Sequence, residues 1–282
     1  MAADESPMTI ASATTPADIP PDAWDLRPLS SAPGGVTGLV SNLEAVAQRL
    51  SARKDELRYF ANLYRRSSQA TKEGIQRGDF FLDSAWVERW VYAFGNTYLQ
   101  PMERLERGET LGVPWQFVSD LSKDRSITPM RHLLLGVCVH LNFDLPRAFL
   151  QAVTDEEFQN PEVMARRKAD FHKFDEILTG RVAEEDRLLQ ADEEPGDRPA
   201  IARLLTPFSQ LGARKFIVEL RGKVWRNAQL LSLARQTGPS ALKERVRQLD
   251  GLTRAKMLEV LRPGPVLIRL ALGGFGIRLP EP

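Results

Sequence analysis

The chain has 282 residues, 43% of them hydrophobic and 27% charged, which is typical of a soluble globular protein with a sizeable core. Its 38 basic and 37 acidic residues leave a formal net charge of +1, so no one-signed field favours nucleic acid or an anionic membrane as a partner. The single cysteine, Cys138, excludes an internal disulfide and a thiolate-rich metal site. The first residues lack the features of a signal peptide, so we expect a cytoplasmic protein without a transmembrane segment.

The chain divides into an N-terminal arm and a helical remainder. Residues 1–34 are rich in Ala, Ser, Thr, Pro and Asp without periodicity, which predicts a flexible arm whose end Trp24 and Leu26 attach to the body. From residue 35 onward, apolar residues recur at spacings of three and four, as in amphipathic helices. The first two helices carry Leu39, Leu43, Val46 and Leu50, and then Leu57, Phe60, Ala61 and Tyr64.

The third helix follows a turn at Arg77-Gly78-Asp79. Asp83 is the expected N-cap of this helix, because its side chain can accept from the first free backbone amides. The helix then presents four aromatic residues at spacing four, Trp86, Trp90, Phe94 and Tyr98. This stripe is typical of a buried core face, and a ligand pocket is the alternative.

Proline and glycine mark the later helices. Thr128-Pro129 predicts the start of an apolar helix, and Pro146 is expected to end or kink it. Pro161 starts a helix through Phe171, Phe174 and Leu178, whose tail leads into an acidic loop. Two more helices follow, one with Phe208, Leu211, Phe216, Leu220 and Trp225 and one over about 240–261, before a Pro-Gly-Pro break and an apolar ending, VLIRLALGGFGIRLP.

Alternating strand patterns and fixed-period repeats are missing from the sequence. We therefore predict one all-α, bundle-like domain of about eight helices over residues 35–282. The sequence also lacks a phosphate-binding loop, a strand-flanked Gly-x-Gly-x-x-Gly, a nucleophile elbow and a His-Glu-x-x-His pair.

The apolar segment HLLLGVCVHLNFDLP, residues 132–146, holds two of the three histidines. On a helix, His140 and Asp144 lie one turn apart, so the carboxylate can orient the imidazole, as in general bases and in metal sites. Gly136 lies on the same stripe and weakens a helix, which indicates that a neighbour or a ligand needs its space. The alternative is a satisfied core pair without a functional role.

The block LGVCVHLNFDLP resembles the signature of an uncharacterised bacterial family of domains of unknown function, DUF5995, which runs approximately Gly-Met-Asn-Ala-His-Ile-Asn-x-Asp-Leu-Pro. FANLYRRSS, ADFHKFDEIL and ELRGKVWRNAQLL resemble three further blocks of that family, in the same order, over about residues 36–262. The resemblance implies a polar set made of His140, Asn142, Asp144, Asp170, Arg221 and Trp225. Cys138, Asp175 and Val224 depart from the pattern, where the family tends to have Asn, Asn and Ala. The resemblance implies a site without naming an activity.

Asp170 adjoins Phe171 and Phe174 in the sequence. A carboxylate beside apolar residues needs a partner, and Arg221 is the expected one. A plain interhelical ion pair and a functional role are equally compatible with this pairing.

Three functions remain open at this point. The leading one is a cofactor-independent enzyme that cyclises, isomerises or dehydrates a small apolar, polyketide-like or lipid-like molecule. In it, His140 is the general base or acid, Asp144 orients it, and Asn142 or Arg221 stabilises negative charge. His132, Cys138, Phe94, Tyr98 and Trp225 are the expected substrate contacts. This hypothesis requires a cavity beside the His140 ring.

The second function is a metal-dependent hydrolase or oxygenase, in which His140, Asp144 and Asp170 bind one divalent ion. The third is a non-catalytic protein that binds a hydrophobic ligand against the aromatic stripe. The apolar ending can cover a pocket mouth, dock on a partner or touch a membrane surface.

Overall fold

The computed structural model describes residues 26–29, 33–192 and 206–281, and within these ranges all regular structure is helical. The predicted all-α class is therefore confirmed. The predicted arm before Leu26, including Trp24, and the acidic loop after Asp192 lie outside the described residues. The helices are α1 (Gly35–Ala52), α2 (Arg58–Arg77), α3 (Ser84–Glu106), α4 (Trp115–Leu121), α5 (Pro129–Val139), a π-turn (His140–Asp144), α6 (Leu145–Ala152), α7 (Asp155–Gln159), α8 (Pro161–Asp192), α9 (Thr206–Thr237), α10 (Pro239–Leu261) and α11 (Val266–Gly273).

Local capping explains several helix starts. The Asp83 side chain accepts from the backbone N–H of Trp86 at 2.9 Å, so the predicted N-cap of α3 is confirmed. The predicted start at Thr128-Pro129 is also confirmed, because α5 begins at Pro129. Thr154 and Glu157 form a reciprocal capping box at the start of α7.

Pro146 does not end the apolar helix. Instead, α5, the π-turn and α6 follow one another without a break from Pro129 to Ala152. Leu145 donates its backbone N–H to the carbonyl of His140, five residues earlier, which is the bonding pattern of a π-helix. The wider turn immediately precedes a proline that lacks a donor, so the irregularity falls where an α-helical bond would be missing anyway.

This continuous stretch forms the centre of the fold. It packs against four other helices, α2, α3, α9 and α10. By length and composition it is the one described helix that passes as a membrane-spanning candidate, but 83% of its most apolar window is buried inside the protein. A core helix has the same properties, and the burial favours that interpretation.

The aromatic stripe of α3 is mostly core. Trp86, Trp90 and Tyr98 are buried, and Trp86 stacks on Trp90 with ring centroids 5.4 Å apart. Residues 26–29 also lie against the helical body, because Leu26 is buried and Arg235 donates to its carbonyl at 2.8 Å. The predicted attachment of the arm through Leu26 is confirmed.

Candidate functional site

The π-turn contains three of the polar residues that the sequence singled out, His140, Asn142 and Asp144, and all three are buried. His140 Nδ1 lies 3.2 Å from Asp144 Oδ2, so the predicted contact across one turn is present. π-Helical turns are rare and are found frequently at functional sites. The turn is therefore the first candidate for a functional site in this fold.

The Asp144 carboxylate receives three side-chain donors. Trp115 Nε1 donates to Oδ2 at 2.9 Å, and Arg147 contacts Oδ1 at 3.4 Å. Together with His140, these groups fix the plane of the carboxylate. Neither Trp115 nor Arg147 was predicted as a site residue, although Arg147 follows Asp144 by three positions, a spacing at which helical side chains meet.

Aromatic rings enclose the imidazole of His140. Phe94 stacks on it with centroids 3.8 Å apart and planes at 11°, while Tyr64 meets it edge-on at 4.2 Å. Phe60, Tyr98 and Trp115 complete the enclosure at centroid distances of 5.3, 6.1 and 6.5 Å. Only 2% of His140 is exposed to solvent.

The enclosure determines the charge state of the ring. Burial lowers the pKa of His140, and Asp144 opposes that shift without cancelling it. A neutral imidazole facing a carboxylate donates from Nδ1, which leaves the lone pair on Nε2. Within the described part of the chain, Nε2 is buried and has no hydrogen-bond partner.

Gly136 allows this enclosure to form. A Cβ atom at position 136 would lie 2.5 Å from both Cβ and Cγ of Phe60, whose ring is part of the wall around His140. The sequence indicated that a neighbour or a ligand needs the space at Gly136, and the structure identifies the neighbour as Phe60.

A small cleft opens beside Asp144. Its volume is about 90 Å³. Polar and apolar residues both line it, namely Leu29, Asn96, Thr97, Gln100, Pro101, Arg104, Gly112, Val113, Trp115, Phe143, Asp144, Arg147 and Gln151. His140 does not line the cleft, so this cleft is not the cavity beside the His140 ring that the leading hypothesis requires. The ring lies behind Asp144 and Trp115, which face the cleft.

Asn142 was expected to stabilise negative charge on a substrate, but in the structure its side chain binds the C-terminal segment. Its side-chain amide donates to the carbonyl of Phe275 at 3.2 Å and accepts from the N–H of Ile277 at 2.9 Å. Asn227 continues the pattern, donating to the carbonyl of Ile277 at 3.0 Å and accepting from the N–H of Leu279 at 2.9 Å. The two side-chain amides thus hold the extended C-terminal segment, Phe275–Leu279. Both the nitrogen and the oxygen of the Asn142 amide are used in this contact.

Cys138 faces the same side of the helix as Asn142, which donates to its Sγ at 3.7 Å. Burial raises the pKa of the Cys138 thiol to about 12, so the group is an unreactive thiol at neutral pH. His132 is also buried, and its Nε2 lies 3.3 Å from the carbonyl of Asp124. Neither residue lines the cleft.

The expected pairing of Asp170 with Arg221 is wrong. Asp170 accepts from the backbone N–H groups of Leu82 and Asp83, at 2.6 and 2.9 Å, and so holds the loop before α3. Arg221 instead pairs with Asp175, at 2.5 Å, and its guanidinium lies 3.7 Å above the Phe171 ring. Burial lowers the pKa of Arg221 to about 10, against the opposing effect of Asp175.

Trp225 belongs to this second cluster. Its ring packs on Phe149 at 4.9 Å and on Phe171 at 5.5 Å, away from the cleft lining. The structure therefore brings together His140, Asp144, Phe94 and Tyr98, whereas the side chains of the other predicted residues, including Asn142 of the same turn, have different partners. Among the described residues, no three His, Cys, Asp or Glu side chains lie close enough to hold one metal ion, and Asp170 is occupied by backbone amides.

The profile of a family of unknown function, DUF5995, matches residues 36–263. The match covers most of the chain and includes the π-turn, Arg147 and Asn227, whereas the C-terminal segment that Asn227 binds, Phe275–Leu279, lies beyond it. The chain matches no curated protein and no solved structure.

Proposed function

This chain belongs to DUF5995, a family of unknown function, and we propose that it is a proton-transfer enzyme in which Asp144, at the floor of the cleft, is the general base. The reaction is an isomerisation, cyclisation or dehydration that begins by removing a proton from a small polar substrate. His140 is a positioning residue in this proposal, because it contacts Asp144 and not the cleft.

One observation carries the proposal. Asp144 belongs both to the buried pair with His140 and to the residues that line the cleft, so it is the point at which the interior polar network borders the cleft. A buried carboxylate held by three donors has a fixed orientation, which is what a general base requires.

Arg147 supplies the second half of the chemistry. Arg147 lines the cleft and its guanidinium lies 3.4 Å from Asp144, so in this proposal it binds a carbonyl or carboxylate oxygen of the substrate. As Asp144 takes a proton from the adjacent carbon, the negative charge that develops on that oxygen falls next to Arg147. In an isomerisation the proton then returns from Asp144 to another carbon of the substrate, and in a dehydration it goes to the hydroxyl group that leaves as water. In D₂O the proton on Asp144 exchanges with solvent first, so a deuteron returns to the substrate carbon.

The cleft limits the substrate. Pockets for drug-sized ligands have volumes of about 300–1,000 Å³, whereas this cleft has about 90 Å³. Asn96, Thr97 and Gln100 add polar groups to its wall. We therefore replace the expected polyketide-like or lipid-like substrate with a small polar molecule, or with the polar end of a longer one, that carries a carbonyl or carboxylate group.

Deuterium exchange tests this function whatever the product is, because it reports the removal of the proton itself. The purified chain is incubated in D₂O with a panel of short-chain oxo acids, and deuterium incorporation is followed by mass spectrometry. We expect exchange next to a carbonyl in at least one compound, and a loss of about 10²–10⁴-fold in the exchange rate for Asp144→Asn. Asp170→Asn is the matched control, because it makes the same change at a buried carboxylate outside the cleft.

Two outcomes contradict the proposal. If Asp144→Asn exchanges deuterium as fast as the wild type, Asp144 is not the base. If calorimetry detects binding of a compound but no exchange occurs with any member of the panel, the cleft serves a non-catalytic binding protein. Arg147 has its own test. If Arg147→Met binds the substrate as tightly as the wild type, Arg147 does not bind the substrate oxygen.

A further inference from the structure

The C-terminal segment, Phe275–Leu279, is extended and packs closely against the helices. Its three large apolar side chains are at most 6% exposed and alternate along the chain, as in an extended segment that packs one side against a core. Gly276 approaches α9 so closely that an added Cβ would lie 3.0 Å from Cα of Leu220. The position of the segment is therefore defined by its packing as well as by its hydrogen bonds.

Asn142 joins this segment to the π-turn. Its amide donates to the carbonyl of Phe275 and accepts from the N–H of Ile277. His140 and Asp144 are four residues apart and share one side of the helix, whereas Asn142, two residues from each, points to the opposite side. The turn is therefore held on one side by the donors to Asp144 and on the other side by the C-terminal segment.

The contact on the second side affects the position of the carboxylate. Asn142 is 1% exposed, so without the segment its amide would be buried and would lack both of these backbone partners. Buried polar groups are almost always paired, so the turn would have to move to give this amide new partners. Asp144 lies on the same five-residue turn and would move with it. A misplacement of about 1 Å can lower the rate of a catalysed reaction by about 100-fold.

We propose that the C-terminal segment is a positioning element for Asp144, which it holds against the cleft through Asn142. The inference rests on the proposed function, in which Asp144 is the general base. Asn227 binds the same segment with the same pair of bonds, but from α9, which contributes no residue to the cleft lining. Loss of the Asn142 contact should therefore disturb Asp144. Loss of the Asn227 contact should lower stability without that effect.

Two matched variants of the full chain test this difference. Ile277→Pro removes the N–H that Asn142 binds, and Leu279→Pro removes the corresponding N–H at the other amide. Trp115 donates its indole N–H to Asp144, so the NMR signal of that N–H, assigned with Trp115→Phe, reports on the carboxylate. We expect Ile277→Pro to shift the signal and to speed its hydrogen exchange by about tenfold or more. Leu279→Pro should leave the signal at its wild-type position.

Deuterium exchange into the substrate supplies the second readout. Ile277→Pro should lower kcat by about 10–100-fold with an unchanged KM, because the base is displaced while Arg147 still binds the substrate. Leu279→Pro should keep the wild-type kcat. Urea denaturation of both variants controls for global stability. If a proline variant does not fold, Ile277→Ala and Leu279→Ala take its place, since each loosens the same part of the segment by removing a buried side chain.

The outcomes separate this inference from the proposed function. The inference is overturned if the two variants leave the Trp115 signal equally unchanged, or if they disturb it equally, because the segment then does not act on the turn through Asn142. A shifted Trp115 signal together with a wild-type kcat overturns the positioning role. A shifted signal in Ile277→Pro alone, with no deuterium exchange by the wild type, supports the coupling of the segment to Asp144 and contradicts the proposed function.

Discussion

Replacing Gly136 with alanine tests the close packing behind the His140 enclosure. In an exposed helix interior, Gly to Ala stabilises by about 1 kcal/mol. At Gly136, however, the new methyl group would lie 2.5 Å from Cβ and Cγ of Phe60, atoms that cannot move without shifting α2 against α5. Overpacking of this kind costs about 1–3 kcal/mol. We take the upper cost, about 3 kcal/mol, because the contact is with Cβ and Cγ of Phe60. The gain of about 1 kcal/mol from helix propensity offsets part of it, so Gly136→Ala should lower the free energy of unfolding by about 2 kcal/mol.

Gly222 and Gly251 provide the controls for Gly136→Ala. Both lie within helices, in α9 and α10, and an added Cβ would meet nothing within 4 Å at either position. Gly222→Ala and Gly251→Ala should each raise the free energy of unfolding by up to about 1 kcal/mol.

Urea denaturation followed by circular dichroism measures all three variants. Thermal unfolding should agree, with a shift of about 2–4 °C per kcal/mol in a chain of this size. The reasoning is refuted if Gly136→Ala is as stable as the two control variants, because helix propensity would then decide the effect and the contact with Phe60 would carry no cost.

Three further variants test other parts of the structure. Burial raises the pKa of Asp250 to about 6, so the folded chain holds a proton that the unfolded chain loses near pH 4, and stability is lost as the pH rises between these values. Asp250→Asn should therefore gain up to about 3 kcal/mol on the wild type at pH 8, with the gain vanishing near pH 4; a pH-independent difference would contradict this. Asn227→Leu removes both bonds from Asn227 to the C-terminal segment, which should cost about 2–5 kcal/mol and speed hydrogen exchange there; unchanged exchange would refute the clamp. Trp115→Phe removes a donor from Asp144 and should cost about 1–3 kcal/mol in denaturation experiments, and a neutral result would mean that the bond contributes little.

Interactions between near neighbours in the chain could be predicted from the sequence. The cap at Asp83, the start of α5 at Pro129 and the contact between His140 and Asp144 all join residues within four positions. Their geometry follows from the dimensions of a helix turn, so local spacing is sufficient.

Interactions between distant parts of the chain could not be predicted in this way. Asp170 binds backbone amides 87 and 88 residues earlier, and Asn142 holds the C-terminal segment 133 and 135 residues later. Nearly every residue has a backbone amide and a carbonyl, so the sequence does not show which of them a polar side chain binds. A structural Asp or Asn therefore cannot be distinguished from a catalytic one by sequence alone. The π-turn was not predicted either. Pro146 indicated that the helix ends or kinks there, whereas the helix continues through a π-turn to Ala152.

The position of the cleft depends on three-dimensional packing as well. Its walls combine α3, the connection before α4, the π-turn, α6 and residue Leu29 of the N-terminal region. By residue type, we expected His140 rather than Asp144 to be the general base. In the structure, aromatic rings from α2, α3 and α4 surround His140, and it does not line the cleft. Only the assembled fold shows that Asp144 is the member of the pair that faces the cleft.

The most direct measurement compares His140→Phe with Asp144→Asn in steady-state deuterium exchange. Phe at position 140 keeps an aromatic ring against Phe94 but removes the donor to Asp144. If Asp144 is the base and His140 positions it, Asp144→Asn loses nearly all activity, whereas His140→Phe retains a measurable kcat with an unchanged KM and a shifted pH profile. Complete loss of exchange in His140→Phe, together with substantial activity in Asp144→Asn, would contradict the assignment.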